Sequence, residues 1–308
     1  MSGTYKAIGI NLKTTPFGES DRLLTILTED LGLIRAVAPG SRKHKSSLGG
    51  RSGLFVVNQL LIAKGRSLDK VIQAESLESY PGLSLDLSKL TASQYLAELA
   101  LNQALSDQPQ TELFHLLREH LSRLETLPVE ATLPCLTHAT FHLLVLAGVA
   151  PQVQSCCITQ TSVTPNFDDP DWQIGFSVVS GGIVHPSALE HPTPARPILK
   201  TAERSSTRYR VSPSPRTSSP ASKNSDPLTH LSAMELALLQ QLSTPNFIQD
   251  LLETDRRLLH NHHRPLWLSL ERALRRYAEY HLDQPIRSAT LIDTCFAPLP
   301  APSLAREL

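Results

Sequence analysis

The side chains best suited to chemistry in this sequence are cations, and they are concentrated. Arg35, Arg42, Lys43, Lys45, Arg51, Lys64, Arg66 and Lys70 all fall between positions 34 and 70, where Asp69 is the only acid. The densest part, Ser41-Arg42-Lys43-His44-Lys45-Ser46-Ser47, mixes charge with hydroxyls and holds no large apolar residue. Gly49, Gly50 and Gly53 follow and let backbone approach a ligand closely. Such a loop suits phosphate oxygens, and binding them releases counterions. Arg35, Arg42, Lys43, Lys45, Arg51, Lys64 and Arg66 are therefore the candidate contacts for a phosphate backbone. Aromatic rings are few in the first 80 residues: Tyr5, Phe17, Phe55 and Tyr80. That ratio of charge to rings points to a backbone-dominated, sequence-neutral mode that accepts duplex as well as single strands.

Other reactive side chains carry less. Asp168, Asp169 and Asp171 are split by Pro170 and lack the glycine and terminal Glu of a calcium loop. His260, His262 and His263 precede a Pro265-started helix without partners at fixed spacing, and read as a polar helix entry. Cys135 sits in an apolar helical run and reads as core. There is no Gly-x-x-x-x-Gly-Lys-Ser/Thr loop for a nucleotide and no Gly-x-Ser-x-Gly elbow. No grouping of carboxylates and histidines supports a nuclease. The expectation is a protein that is not an enzyme and needs no cofactor.

The elements that must position the cations follow from period and punctuation. The 308 residues carry 29 Lys plus Arg against 29 Asp plus Glu, so the net charge is zero, with 12 His counted neutral. With 41% hydrophobic residues this excludes a polycationic or disordered chain. Four cysteines are too few for a disulfide scaffold. No leader-like or membrane-spanning run is evident, so a reduced, cytoplasmic setting is expected. In residues 1–80, Ile8, Ile10 and Leu12 alternate, and Leu23–Thr28 and Leu33–Ala38 flank an Asp30-Leu31-Gly32 turn. Leu54–Val57 with Leu60–Ile62 reads as a fourth strand and Val71–Ala74 as the start of a fifth. Five short strands suit a small closed barrel of the OB type, with an SH3-like barrel as the alternative.

Residues 81–150 switch to helical spacing: Leu90, Tyr95, Leu96 and Leu99, then Leu113, Phe114, Leu117, Leu121 and Leu124, then a buried run ending near Gly148. Residues 151–192 are a Gly- and Pro-punctuated insert. Residues 193–227, rich in Ser, Pro and Arg, read as a disordered linker. The helical domain resumes over 228–292, with helical patterning at Ser232–Leu239 and again from Pro265 to about Asp283, and 293–308 reads as a flexible tail. The fold class is a multidomain α+β protein: an N-terminal barrel, then a mostly helical domain carrying an insert.

Tyr5-Lys6-Ala7-Ile8-Gly9-Ile10, Phe17-Gly18-Glu19-Ser20-Asp21-Arg22-Leu23-Leu24 and Gly32–Lys43 resemble the start of the RecO family of recombination mediators. Tyr95–Leu99, Leu113–Leu117, Leu274–Leu282 and Arg287-Ser288 resemble its helical part. The resemblance covers most of residues 3–192 and 228–292. It implies an OB-fold DNA-binding domain, strand annealing, and loading of recombinase on single-stranded DNA coated by single-strand-binding protein, together with a RecR-type partner. It implies action at the nucleoid. It also implies a zinc module of two Cys-x-x-Cys pairs in the insert. Here Cys156 and Cys157 are followed by Thr159 and Gln160, and His185 and Ala188 stand at the second pair, so no metal is expected and a degenerate zinc-finger-like insert remains.

Charge agrees with a division of labour. Residues 81–150 hold seven acids against Lys89, Arg118 and Arg123, so the helices suit a protein partner better than DNA. Arg256, Arg257, Arg264, Arg272, Arg275 and Arg276 make the C-terminal segment basic again, a second contact for DNA or for an acidic tail. The competing reading is a protein-interaction adaptor of the repair machinery whose DNA contact is incidental.

Overall fold

The computed structural model describes residues 3–190 and 228–296. The chain divides into two compact units, one of Met1–Pro151 with Ala237–Leu308 and the other of Gln152–Leu236. The linker read at 193–227 and the tail beyond 296 lie outside the described residues.

The first unit opens with β1 (Thr4–Phe17), β2 (Asp21–Thr28), β3 (Gly32–Ala38), β4 (Val56–Ala63) and β5 (Asp69–Ser79). They close into a barrel in the order β1-β2-β3-β5-β4, with β1 pairing back onto β4. The pairs are antiparallel except β3 with β5, where Ala36 meets Asp69 and Val37 meets Lys70. This Greek-key closure makes the barrel OB-like and leaves no free edge. Residues two apart fill the interior: Leu24 and Ile26, Ala36 and Ala38, Leu60 and Ile62. β1 runs longer than its apolar alternation suggests because a bulge between Asn11 and Lys13 resets the register and sets Lys13 opposite Thr25. The fourth strand starts at Val56, later than the apolar run implies. Phe55 is buried with φ at 58°, a left-handed conformation costly for an aromatic residue, and it turns the chain into β4.

Three helices follow: α1 (Leu87–Gln103), α2 (Thr111–Thr126) and α3 (Thr132–Leu146). Asp86 caps α1 by accepting the N–H groups of Ser88 and Lys89 at 2.9 and 3.0 Å. The second unit holds β6 (Gln173–Ser177), β7 (Gly182–Val184), the short α4 (Pro186–Glu190) and β8 (Thr229–Ser232), with the sheet order β7-β6-β8. α5 (Ala233–Gln241) leads back to the first unit, which adds α6 (Phe247–Thr254), α7 (Arg264–His281) and α8 (Ala289–Cys295). α8 runs into the stretch read as tail from 293. Its Asp293 takes charge-assisted hydrogen bonds of 2.8 Å from both Arg272 and Arg275. Residues 129–146 are apolar enough to cross a membrane by length and composition, but 72% of that stretch is buried in the helical body. Its apolarity is that of a core helix.

Backbone bonds join barrel to helices. Leu33 N–H donates to Leu105 O at 2.9 Å, and Gln110 N–H donates to Glu29 O at 3.0 Å. Gly32 at this junction has φ +68°, and a Cβ there would sit 2.2 Å from Leu105 O, so only glycine fits. Arg118 on α2 adds an ion pair with Glu78 on β5, its Nε at 2.9 Å.

Three imidazoles meet inside the helical body. His138 and His142 of α3 have ring centroids 4.0 Å apart, and His120 of α2 lies 5.6 and 5.3 Å from them. His138 Nε2 donates to Thr244 O at 3.0 Å, and His142 bonds the Leu242 backbone. His120 Nε2 and His138 Nδ1 make no hydrogen bond. Burial first, and the neighbouring imidazoles second, hold His120 well below its usual range and push His138 down to about 3. These groups fold neutral and protonate more readily once unfolded. Their contribution is complete above about pH 6.5 and shrinks as pH falls toward the folded value. Denaturant unfolding at pH 5.5 should show stability about 1.4 kcal/mol lower than at pH 7.5 for each histidine so held. His138→Gln should reduce that drop, and an unchanged midpoint across this window would contradict the placement.

Candidate nucleic-acid interface

The chain from Pro39 to Phe55 crosses one end of the barrel, and the residues under it explain its shape. Leu48 drops into the barrel interior against Leu24, Ile26, Ala36 and Leu60. Burying such a side chain contributes about 2 kcal/mol. Asn11, fully buried, donates through Nδ2 to Arg51 O at 2.8 Å and Gly53 O at 2.9 Å, and Asn58 reaches Arg51 O at 2.9 Å. Arg22 Nη1 donates to Gly49 O at 3.0 Å and Ser52 Oγ at 2.8 Å. Asp21 accepts the Gly40 N–H at 2.7 Å and the Ser20 hydroxyl at 2.9 Å. The Gly40 bond, first, and the Ser20 bond hold the Asp21 carboxyl below its usual range, helped by Lys43 and Lys70. The Gly-Glu-Ser-Asp-Arg motif is thus more than a turn. It fastens the loop to the barrel mouth.

This fastening leaves cations outside. Arg35 on β3, Lys43 and Lys45 on the loop, and Lys64 and Arg66 on the β4–β5 turn are exposed and make no ion pair among the described residues. Arg42 is exposed and donates weakly to Gly18 O and Glu19 O at 3.4 and 3.3 Å, which ties the loop to the β1–β2 hairpin. Arg51 is half-buried at the far end of the loop and its guanidinium is turned onto Ser47 O. The parallel β3–β5 contact sets Asp69 beside Ala36 and Lys70 beside Val37, so the Lys64 and Arg66 turn that precedes β5 runs back along β3 past Arg35 and away from the loop. Arg42, Lys43 and Lys45 thus share the loop, whereas Arg35 lies along β3 and Lys64 and Arg66 lie on the β4–β5 turn. Arg51 is tied into the loop's own structure. The lone acid of the stretch, Asp69, is occupied: it accepts the Tyr5 hydroxyl and the Gly65 N–H, the latter at 3.0 Å. Burial and this bond push the Tyr5 hydroxyl above its usual range.

Sequence reasoning missed the supports. Leu48 is one apolar residue in a polar loop, and Asn11 and Asn58 look like ordinary strand polar positions. A signal was available in Asn58 alone, which stands in phase with Leu60 and Ile62 where the pleat should carry an apolar side chain.

The C-terminal cations are differently employed. Arg275 pairs with fully buried Glu271, Nε to Oε1 at 2.9 Å, and both Arg272 and Arg275 bond Asp293. Burial raises the Glu271 carboxyl despite its partner, and the Glu271 and Asp293 carboxylates raise Arg275 against burial. Arg272 and Arg275 hold α7 to α8 and are not a ready second contact.

In the insert, fully buried Cys156 Sγ accepts N–H groups from His185 at 3.3 Å and Thr159 at 3.5 Å. Burial raises this thiol, but bonds from Thr159, His185 and Ile158 outweigh it and lower it overall. His185 Nδ1 is engaged with Ser187 Oγ at 2.8 Å, and Thr159 and Ala188 supply neither thiolate nor imidazole. These residues do not fit a tetrahedral zinc site.

The fold is thus an OB-like barrel with a fastened basic loop, continued by a helical body. Residues 1–80 match the family model Recombination protein O N terminal, and residues 84–217 match Recombination protein O C terminal. The chain is 55% identical over 300 residues to the DNA repair protein RecO of Nostoc sp. strain PCC 7120, covering 96% of this chain and 98% of that one. It is 54% identical to the protein of that name from Cyanothece sp. strain PCC 7425, covering 97% and 98%, and 42% identical to that of Synechococcus elongatus, covering 96% of each. The chain belongs to the RecO family and is a DNA repair protein.

Two outcomes check this geometry. Leu48→Ala should cost about 2–4 kcal/mol in denaturant unfolding and speed amide exchange across residues 39–53, because both the anchor and its contacts go. EDTA should leave the circular dichroism spectrum unchanged and release no stoichiometric metal, whereas unfolding with metal release would contradict the reading of the insert.

Proposed function

We propose that this protein binds DNA through the barrel-end loop and promotes annealing of complementary strands in recombinational repair. Arg35, Arg42, Lys43, Lys45, Lys64 and Arg66 neutralise phosphates, with Arg51 helping to shape the loop. Screening two strands at once lowers their mutual repulsion, so complementary bases can meet. Single-stranded DNA is the primary ligand and duplex is accepted. With a RecR-type partner the protein loads recombinase onto single strands coated by single-strand-binding protein. It does so in the cytoplasm at the nucleoid, without a cofactor and without catalysing a covalent step. The acidic helical body, whose Arg118, Arg123, Arg272 and Arg275 are already ion-paired, is the surface for protein partners. The insert keeps the form of a zinc module with hydrogen bonds in place of metal.

One observation supports this most: Arg42, Lys43 and Lys45 stand exposed while the backbone of residues 39–53 is held from beneath by Leu48, Arg22, Asn11 and Asp21. A tethered loop presents charge without first losing much chain entropy on binding. The test is a salt titration of affinity for an oligonucleotide. Log affinity should fall linearly with log salt, by about 0.7–0.9 per phosphate neutralised. Combining Arg42→Glu, Lys43→Glu and Lys45→Glu should abolish binding at physiological salt and slow annealing in parallel. Unchanged affinity in that variant would favour the adaptor reading and remove this one.

A further inference from the structure

Among the four aromatic residues of the barrel, one alone is exposed. Phe55 and Tyr80 are 3% and 5% exposed, and Tyr5 is half-buried with its hydroxyl on Asp69. Phe17 is 42% exposed at the end of β1, where its Cα pairs with Asp21 across the β1–β2 hairpin. Lone exposed apolar residues are common on any surface. Two features set this one apart.

The first is fixation. The hairpin tip is bonded to the basic loop at three points: Arg42 N–H donates to Ser20 O at 2.9 Å, the Arg42 guanidinium reaches Gly18 O and Glu19 O, and Asp21 holds Gly40. The hairpin that carries the ring is therefore joined to the loop of Arg42 and Lys43, and its register runs unbroken from Lys13 to Phe17. A ring on a braced strand end loses little freedom when it stacks. The second is charge. Glu19, exposed at the same tip, disfavours a phosphate there, whereas the neighbouring loop favours one. A nucleic-acid backbone laid along Arg42, Lys43 and Lys45 would pass beside the tip and turn its bases toward it.

We propose that Phe17 is the base-contacting residue of the interface, stacking on an unpaired base where the strand leaves the phosphate track, and that it gives the barrel its preference for single strands over duplex. The proposal rests on the reading of the basic loop as a DNA site. Cations alone do not distinguish strand from duplex. A lone ring does, because only an unpaired base offers it a face, and every base has one, so the preference carries no sequence.

The experiment measures fluorescence anisotropy with the full chain, using labelled oligo-dT and a duplex of equal length at several salt concentrations. Phe17→Ala should weaken oligo-dT binding by about five- to a hundredfold, change duplex binding by less than about twofold, and leave the salt slope unaltered, since no phosphate contact is lost. Phe17→Trp should restore the affinity and show emission quenched by oligo-dT and not by duplex. Equal weakening on both ligands, or none on either, overturns the proposal, as does absence of quenching in a Phe17→Trp protein that binds normally. Failure of the underlying reading has a different signature: Lys43→Gln with Lys45→Gln would leave both affinity and salt slope at the parent values.

Discussion

Everything the barrel end can do depends on how its mouth is closed. A five-stranded barrel has an apolar interior that opens to water where β3 hands over to β4, and in this chain the covering segment is a polar, cationic loop. Left alone, such a sequence would lie off the barrel, because desolvating its cations costs more than its few apolar atoms return. Leu48 supplies the one apolar plug, and Asn11, Asn58, Arg22 and Asp21 satisfy the backbone groups that the crossing would otherwise bury unpaired. The result is a loop whose interior side is satisfied by the barrel and whose exterior side is cationic. The strained turn at Phe55, with its N–H on Asn11 O at 2.9 Å, brings the chain back into register for β4.

The same economy governs the acids. Asp69 sits inside the most basic stretch of the sequence, yet it is turned onto Tyr5 and Gly65 and closes the β4–β5 turn. Asp21 is spent on Gly40 and Ser20. Further along, Glu98 accepts the N–H groups of Arg287 and Ser288, both at 2.9 Å, and Glu271 and Asp293 absorb Arg275. Arg118, Arg123, Arg272 and Arg275 are thus engaged in the helical body, whereas Lys43 and Lys45 stand exposed on the barrel loop. A whole-chain net charge of zero conceals that difference.

The sequence made the strand and long-helix pattern legible because the interior of a barrel and the stripe of a bundle impose strict periods, as in Leu24 with Ile26 or Leu117 with Leu121. It did not reveal α6 and α8, which are only eight and seven residues long and take their stability from packing instead of a repeat of their own. Asp293, which the sequence pattern places in a tail, belongs to the pairing that holds α7. The candidate cations could be read directly, since density of charge survives without a fold. Their supports could not. The partners of Asn11 lie 40 and 42 positions away and those of Arg22 lie 27 and 30 away, contacts that only the closed barrel creates. The histidine cluster escaped notice for the same reason: His120 meets His138 and His142 only once α2 packs on α3.

The central claim is that DNA is met at the barrel end and not on the helical body. Hydrogen–deuterium exchange of the full chain, with and without saturating oligo-dT, addresses it directly. The account predicts slowed exchange in residues 17–20, 39–49 and 64–70, with α2 and α7 unchanged. Protection confined to α7 or α2, with the barrel-end loop exchanging as in the free protein, would contradict it.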